Sequence, residues 1–560
     1  MNRNTESHFS LEPALNMSRS KFDRSFSVKT TFNTGDLVPF YLEEVLPGDT
    51  FNVKSSKVVR MPSLLTPVMD NIYLDTYYFF VPNRLVWNHW KEFMGENTES
   101  AWIPATEYQV PQITAPANTG WTVGTIADYF GIPTGVAGLS VSALPFRAYA
   151  LICNEWFRDQ NLTDPLVVPM DDSTVAGLND GNELERIAKG GKPFRAAKYH
   201  DYFTSCLPGP QKGADVLVPG GTTGYIPVIT RGEAVPHPGL FTLSGLGNGG
   251  DDGVISNVGV NRCSEAKQWH IKGDAYLRAM PQDGSTGMGG FSPTNLWASP
   301  EAGSAVGATI NQLRLAFQIQ KYYEKLARGG SRYTEVIRSF FGVMSPDARL
   351  QRPEYLGGNR IPITINQVIQ QSGTQSTGTP QGTVVGMSQT TDTHADFVKS
   401  FTEHGYIIGL MVARYDHTYQ QGLARMWSRK DKFDFYWPVF ANIGEQAVKN
   451  KEIFAAGTAD DDKVFGYQEA WADYRYKPNI VTGDMRSQST QSLDVWHLAD
   501  DYETCPRLSD AWIRESPATV NRILAVSDQL SHQFFADIFV KNDCTRPMPL
   551  YSIPGLIDHH

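Results

Sequence analysis

Gly245, Gly247 and Gly250 satisfy a GxGxxG spacing, the arrangement in which a glycine-rich turn admits a pyrophosphate to a helix N-terminus. Asp251-Asp252-Gly253-Val254 follows instead of a helix, so the chemistry lacks its N–H donors. Gly190-Gly191-Lys192-Pro193 lacks both the upstream glycine and the Ser or Thr of a phosphate-binding loop. There is no HExxH, no GxSxG and no paired-cysteine metal spacing. Asp460, Asp461 and Asp462 could meet a divalent cation, but the adjacent Lys463 and the lack of alternating ligands favour a solvated turn. His404, His417 and His497 have no partner at ligand spacing and are expected in a core or interface. Tyr322, Tyr323, Lys325, Arg328, Arg332 and Tyr333 mix rings with cations, a sequence-tolerant way to stack bases and neutralise phosphates. Glu43 with Glu44, and Glu469 with Asp473, are the carboxylate pairs available for acid–base work on a sugar. With exposed aromatics as platforms, they define one function class: a carbohydrate-binding or carbohydrate-active β-sandwich. No cofactor is expected.

The elements that would position these residues are mostly strands. Phe26, Val28, Thr30 and Phe32 recur at period two, as do Ile72, Leu74, Thr76, Tyr78 and Phe80, so Ser25–Phe32 and Ile72–Phe80 are expected as half-buried strands. Leu37–Tyr41 is apolar on both faces. Pro47-Gly48-Asp49 predicts a tight reversal, with Thr50–Arg60 returning alongside. Beyond Pro82 the period becomes that of a short helix through Trp87, Trp90 and Phe93. Residues 101 to 133 read as loop with one short helix at Val123–Phe130. Leu144–Asn161 is expected as an amphipathic helix with a Tyr149, Ile152, Trp156 and Phe157 stripe. Lys189, Lys192, Arg195 and Lys198 form a small basic cluster. Ala308–Arg328 is the clearest helix, with Lys321, Lys325 and Arg328 on one face. Ile361–Ile369, Gly405–Tyr415 and Phe433–Phe440 are strand candidates, and residues 373 to 393 are expected as a loop.

Composition narrows the function classes. Aromatic residues at 12% and 34 prolines in 560 residues suit many short strands with irregular connections. Only 19% of residues are charged, which fits a surface partly hidden against other copies. A net charge of −10 argues against a protein whose main purpose is to neutralise nucleic acid, leaving only local contacts. Five scattered cysteines suggest buried thiols in a reducing compartment. The N-terminus has no apolar run of signal-peptide type, and the longest apolar run, Tyr406–Ala413, is too short for a membrane span. Thr204–Glu301 is dense in Gly and Pro, with apolar patches too short for a core of its own, and reads as a surface-projecting insertion.

GDLVPFYLEEVLPGDTF and MDNIYLDTYYFFVPNRLVWNHWKEFMGE, followed far downstream by FGYQEAWADYRYKP (Phe465–Pro478) and RPMPLYSIPGLID (Arg546–Asp558), resemble the major capsid protein of the microviruses, and are close to the gokushovirus branch. The resemblance implies a mainly β fold: an eight-stranded antiparallel viral jelly roll with long loop insertions and a few helices. It implies a T=1 icosahedral shell of identical subunits around a circular single-stranded DNA genome, assembled in the host cytoplasm and released as a virion. Scaffolding, pilot and small DNA-associated proteins and a host receptor are the partners it implies. On this basis residues 1 to 24 are an N-terminal arm, 25 to 203 the first part of the core, 204 to 301 the insertion that forms a threefold protrusion, and 302 to 560 the rest. Candidate genome contacts are Arg19, Lys21, Arg24, Lys321, Lys325, Arg328 and Arg332. Phe465, Tyr467, Trp471, Tyr474, Tyr476, Pro547, Pro549 and Pro554 are candidates for subunit seams, where aromatics bury large area. Gly245, Gly247, Gly250, Asp251 and Asp252 mark the insertion assigned to host attachment.

Overall fold

The alternating residues at the start of the chain do build strands. In the computed structural model, which describes residues 18–97, 106–213, 216, 310–330, 332–343, 351–373, 380–526 and 531–551 and the backbone of short strands between 228 and 298, β1 (Ser20–Asp23) and β2 (Phe26–Phe32) are followed by β3 (Val38–Val45), β4 (Thr50–Arg60) and β5 (Ile72–Pro82). Two helices matter most, α1 (Leu144–Ile152) and α2 (Ile310–Gly329). The later strands are β6 (Glu354–Pro362), β7 (Ile365–Ile369), β8 (Val384–Ser400), β9 (Gly405–Tyr415), β10 (Glu445–Lys449), β11 (Val464–Glu469) and β12 (Phe534–Arg546).

Two antiparallel sheets face each other. One is six-stranded in the order β1-β12-β4-β8-β7, with β2 also on β12, and the other is four-stranded in the order β6-β5-β9-β3. Phe51, Val53, Val59, Phe534, Ile538 and Val540 from the first meet Val38, Phe40, Ile72, Leu74, Tyr78, Ile407 and Met411 from the second in one core. Each such side chain stabilises the fold by roughly 1.5–3 kcal/mol relative to leaving it in water. β4 and β12 alternate cleanly between inward and outward residues.

The four-stranded sheet is buried on both faces. Its other side, through Phe79, Val81, Ile408, Leu410 and Val412, packs on Trp87, Trp121, Ile126 and the α1 residues Leu144, Phe146, Ala148, Tyr149 and Ile152. The expectation that β5 is half-buried is therefore corrected, because a helical layer covers the face that would otherwise be wet. The same packing corrects the amphipathic reading of Leu144–Asn161. α1 is buried almost all round, even at Arg147, whose guanidinium donates to the Asp171 and Val86 carbonyls at 2.9 and 3.3 Å, and the chain continues as a π-helical turn, Cys153–Phe157.

Pro47-Gly48-Asp49 is a corner and not a hairpin. Gly48 adopts φ +92° and donates to the Phe401 carbonyl at 2.8 Å, while Asp49 accepts from Leu46 N–H at 2.9 Å. β4 then crosses to the opposite sheet and pairs with β8 and β12, not with β3. The loop expected over 373 to 393 is corrected too, since Val384 onward is the 17-residue β8. Its inward positions are Gly386, Ser388 and Thr390, so the period-two signal is carried by small and polar residues. Phe433–Phe440 is not a strand but two 3-10 turns, Lys432–Asp434 and Pro438–Phe440.

The chain divides into two compact units, residues 1–212 with 324–560, and residues 213–323. The expected insertion start at 204 falls within the first of these units. Thr204, Cys206 and Leu207 are buried in the first unit, and Leu207 exchanges two backbone hydrogen bonds with Tyr467 of β11 at 2.7 and 2.8 Å. The second unit is also not structureless. Gln268–Lys272 pairs antiparallel with Tyr276–Met280, Leu243–Gly245 with Val254–Ile255 and Phe291–Pro293, and Val228–Thr230 with Leu296–Ala298.

Candidate assembly surface

The segment 423 to 443 is irregular, yet many polar bonds fix its backbone. Leu423 N–H donates to the Lys451 carbonyl at 2.8 Å, and Arg425 to the Ala447 carbonyl of β10 at 2.9 Å. Arg429 is ion-paired with Asp473 and donates to the Asp434 carbonyl at 3.0 Å. The Asp434 carboxylate accepts from Lys430 and Asp431 N–H at 2.7 and 2.9 Å, and these two donors hold its pKa below the ordinary value. Trp437 Nε1 donates to the Lys432 carbonyl at 2.8 Å, and Trp471 Nε1 to the Phe440 carbonyl at 2.9 Å.

Rings stand outward on this fixed frame. Trp427 is 69% exposed and Val439 88%, with Met426, Phe433, Phe435, Tyr436, Trp437 and Ile443 exposed beside them in the chain. Tyr436 lies 5.7 Å from the buried Trp471 ring and 6.3 Å from Tyr474, and the Arg429 guanidinium stacks 4.3 Å over Tyr474. Tyr474 and Tyr476 are each 51% exposed. These exposed side chains form an aromatic plate along the 426–443 segment, joined to the 471–476 segment through Tyr436. Isolated exposed apolar residues are ordinary, but a contiguous patch marks a contact surface. Because the backbone is already ordered, burying the plate against a partner costs little further conformational entropy.

The expected seam residues separate into two groups. Phe465 and Trp471 are buried within the subunit, Phe465 packing 5.2 Å from Trp512, and Tyr467 is half-buried in its ladder with Leu207. Tyr474 and Tyr476 face outward, as does Pro549, while Pro547 is half-buried. Pro554 lies outside the described residues. The plate at 427 to 439 was missed because its aromatic density imitates a strand; Pro438 within it and the absence of strict alternation are the signals against that assignment.

Most of the basic candidates are ion-paired within the subunit. Lys21 pairs with Asp543 at 3.1 Å and Arg24 with Glu43 at 2.9 Å, both on the sheet edge, and Arg19 lies over Gly48. The expectation of a free arm through residue 24 is thereby corrected, because Ser20–Asp23 is β1, paired with β12. Arg328 is paired with Glu445 and donates to Gln468 at 2.8 Å. Arg332 reaches Glu335 at 3.1 Å, Glu155 at 3.5 Å and the Arg158 carbonyl at 3.2 Å, so it ties the subunit together internally. Lys325 lies 4.9 Å over the Phe340 ring, exposed, and Lys321 is exposed. Lys189, Lys192, Arg195 and Lys198 pair with Glu185, Asp180, Asp36 and Asp500. Gly245 ends a short strand, while Gly247, Gly250, Asp251 and Asp252 lie outside the described residues.

The carboxylate pairs are also engaged. Glu43 is bound by Arg24, Glu469 by Arg475 and Asp473 by Arg429, while Glu44, next along β3, faces the opposite way. Asp462 holds Lys449 and Lys451 at 2.9 Å each, and these lysines pull its pKa to about 2. His417 and His497 are core residues.

A family model described as capsid protein (F protein) matches residues 12–556. The capsid protein VP1 of Spiroplasma virus 4 is 42% identical over 551 residues, covering 98% of this chain and 97% of its own. Those of Chlamydia phage 1 and Bdellovibrio phage phiMH2K are each 41% identical, over 600 and 555 residues, covering 98% and 99% of this chain and 98% of theirs. The chain belongs to the phage capsid F-protein family. It is a structural protein of the virion.

Proposed function

We propose that this chain is the repeating subunit of a T=1 icosahedral shell, of the gokushovirus type, that encloses a circular single-stranded DNA genome. The observation that carries self-assembly is the aromatic plate around Trp427, Trp437 and Val439, a run of exposed apolar side chains on a backbone already ordered for contact. The face-to-face sheets, whose successive strands β3, β4 and β5 alternate between layers, support an eight-stranded jelly roll as the frame. The glycine-rich stretch from 213 to 301 is assigned the outward, host-attachment role. Lys321 and Lys325 are the basic side chains assigned to genome contact; Arg328 and Arg332 are committed within the subunit. Scaffolding, pilot and small DNA-associated proteins are the partners in assembly, which takes place in the host cytoplasm.

Electron microscopy and sedimentation of the expressed chain, alone and with its scaffolding proteins, test this. Closed shells of uniform size are the expected result. A protein that stays monomeric under both conditions overturns the proposal.

A further inference from the structure

Lys57 sits on the inward face of β4, between Ser55 and Val59, with none of its side chain exposed. A lysine between two packed sheets is unusual, since burial of a charged amine is costly without dedicated partners. Its register partner on β8 is Asp392, and Lys57 Nζ lies 3.3 Å from the Asp392 carboxylate. From the opposite sheet comes Asn359 of β6, itself in register with Thr76 of β5. The Asn359 amide oxygen is 3.0 Å from Lys57 Nζ and accepts from the Thr76 hydroxyl at 2.7 Å, while Asn359 Nδ2 donates to the Asp392 carboxylate at 2.9 Å. An amine, a polarised carboxamide and a carboxylate touching both thus converge inside the sandwich.

We propose that Lys57 and Asn359 form an intramolecular isopeptide bond, with Asp392 as the proton carrier and Thr76 as the donor that polarises the amide. The Lys57 ammonium passes one proton to the Asp392 carboxylate, leaving a neutral amine beside the amide. Nζ attacks the Asn359 side-chain carbonyl carbon, and the Thr76 hydroxyl stabilises the charge that develops on the oxygen. Asp392 then delivers its proton to Nδ2, the Cγ–Nδ2 bond breaks, and ammonia leaves as the second Nζ proton is lost to it. One C–N bond forms and one breaks; the products are a secondary amide and ammonium, and no oxidant or other co-reactant is required. Asp392 retains 20% side-chain exposure, which gives ammonia a way out.

The bond would join the two sheets through positions 302 residues apart and close a loop that includes the whole second unit. Cys153, Cys206, Cys505 and Cys544 are free thiols, so the link would supply a covalent tie that does not depend on the redox state of the compartment.

Intact-mass measurement of the full chain, purified and denatured under reducing conditions, tests this directly. The wild-type mass is expected to fall short of the sequence mass by one ammonia, and digestion to yield a branched peptide joining the Lys57 and Asn359 regions. Lys57→Arg and Asp392→Asn, measured beside it, are expected at their full sequence masses. A wild-type chain at full mass with linear peptides at both positions overturns the proposal, without recourse to any variant. A branched peptide persisting in Asp392→Asn overturns the role given to Asp392.

Discussion

His417 should make the subunit lose stability as the medium turns alkaline. Its ring is buried with Nδ1 3.1 Å from both Asp500 oxygens and Nε2 3.2 and 3.3 Å from those of Glu515. With a carboxylate at each nitrogen the ring is held as imidazolium. Burial opposes that charge, but the two carboxylates outweigh it and raise the pKa from 6.5 to about 9. Lys198, 3.4 Å from Asp500, and the Tyr502 hydroxyl at 2.8 Å complete the shell, with the Tyr415 ring 4.5 Å from the imidazole. A raised native pKa means the contribution is fully present below pH 6.5 and is lost as pH rises through about 9. The rise corresponds to roughly 3 kcal/mol, entered at about 1.4 kcal/mol per pH unit between those limits. Urea unfolding of wild type and His417→Gln at several pH values from 6 to 10 measures it, since other titrations cancel in the difference. At pH 7 the variant should be less stable by about 3–5 kcal/mol, because two buried carboxylates lose their cation. The gap should narrow toward pH 9. A gap that stays constant across this range would refute the reasoning.

The aromatic plate predicts a defect of assembly and not of folding. Trp427→Ser should leave the unfolding midpoint of the isolated subunit nearly unchanged but weaken each contact by about 2 kcal/mol, raising the concentration needed for shells roughly 30-fold by light scattering. Charge reversal separates the basic residues. Arg332→Glu should lower subunit stability by about 2–4 kcal/mol in urea, since it sets a carboxylate against Glu155 and Glu335. Lys325→Glu should fold normally and yield particles that retain less DNA by nuclease protection.

Strands whose inward residues are large and apolar are legible from the sequence: β2 and β5 stand where their periodicity puts them, and β9 where its continuous apolar run does. β8 is not, because Gly386, Ser388 and Thr390 point inward and the usual contrast between faces is lost. The corner at Pro47–Asp49 looks like a hairpin in the sequence because turn chemistry fixes a local reversal, while the sheet that receives the next strand depends on distant partners. The aromatic run over 465 to 476 reads as one seam in the sequence; the fold splits it, since β11 buries Phe465 while Tyr474 and Tyr476 lie past the left-handed Trp471 and face outward. The cluster of Lys57, Asn359 and Asp392 had no local signature at all, because register between strands, and not spacing along the chain, brings the three together.

The division of labour between sandwich and loops has a consequence for variants. The four-stranded sheet spends both faces inside the subunit, one on the opposite sheet and one on the α1 layer. The aromatic plate instead hangs from connections beside β10 and β11, which form a separate two-stranded sheet. A substitution in the sandwich core therefore removes apolar burial from every subunit before any contact between copies is made. A substitution in the plate leaves that burial intact. Subunit unfolding and shell formation should then respond to different residues, with Ile407→Ala costing about 2–5 kcal/mol in the first and Trp427→Ser acting on the second alone. If Trp427→Ser lowered subunit stability as much as Ile407→Ala, the plate would have to be packed within the subunit, and its exposed rings could not be the contact surface.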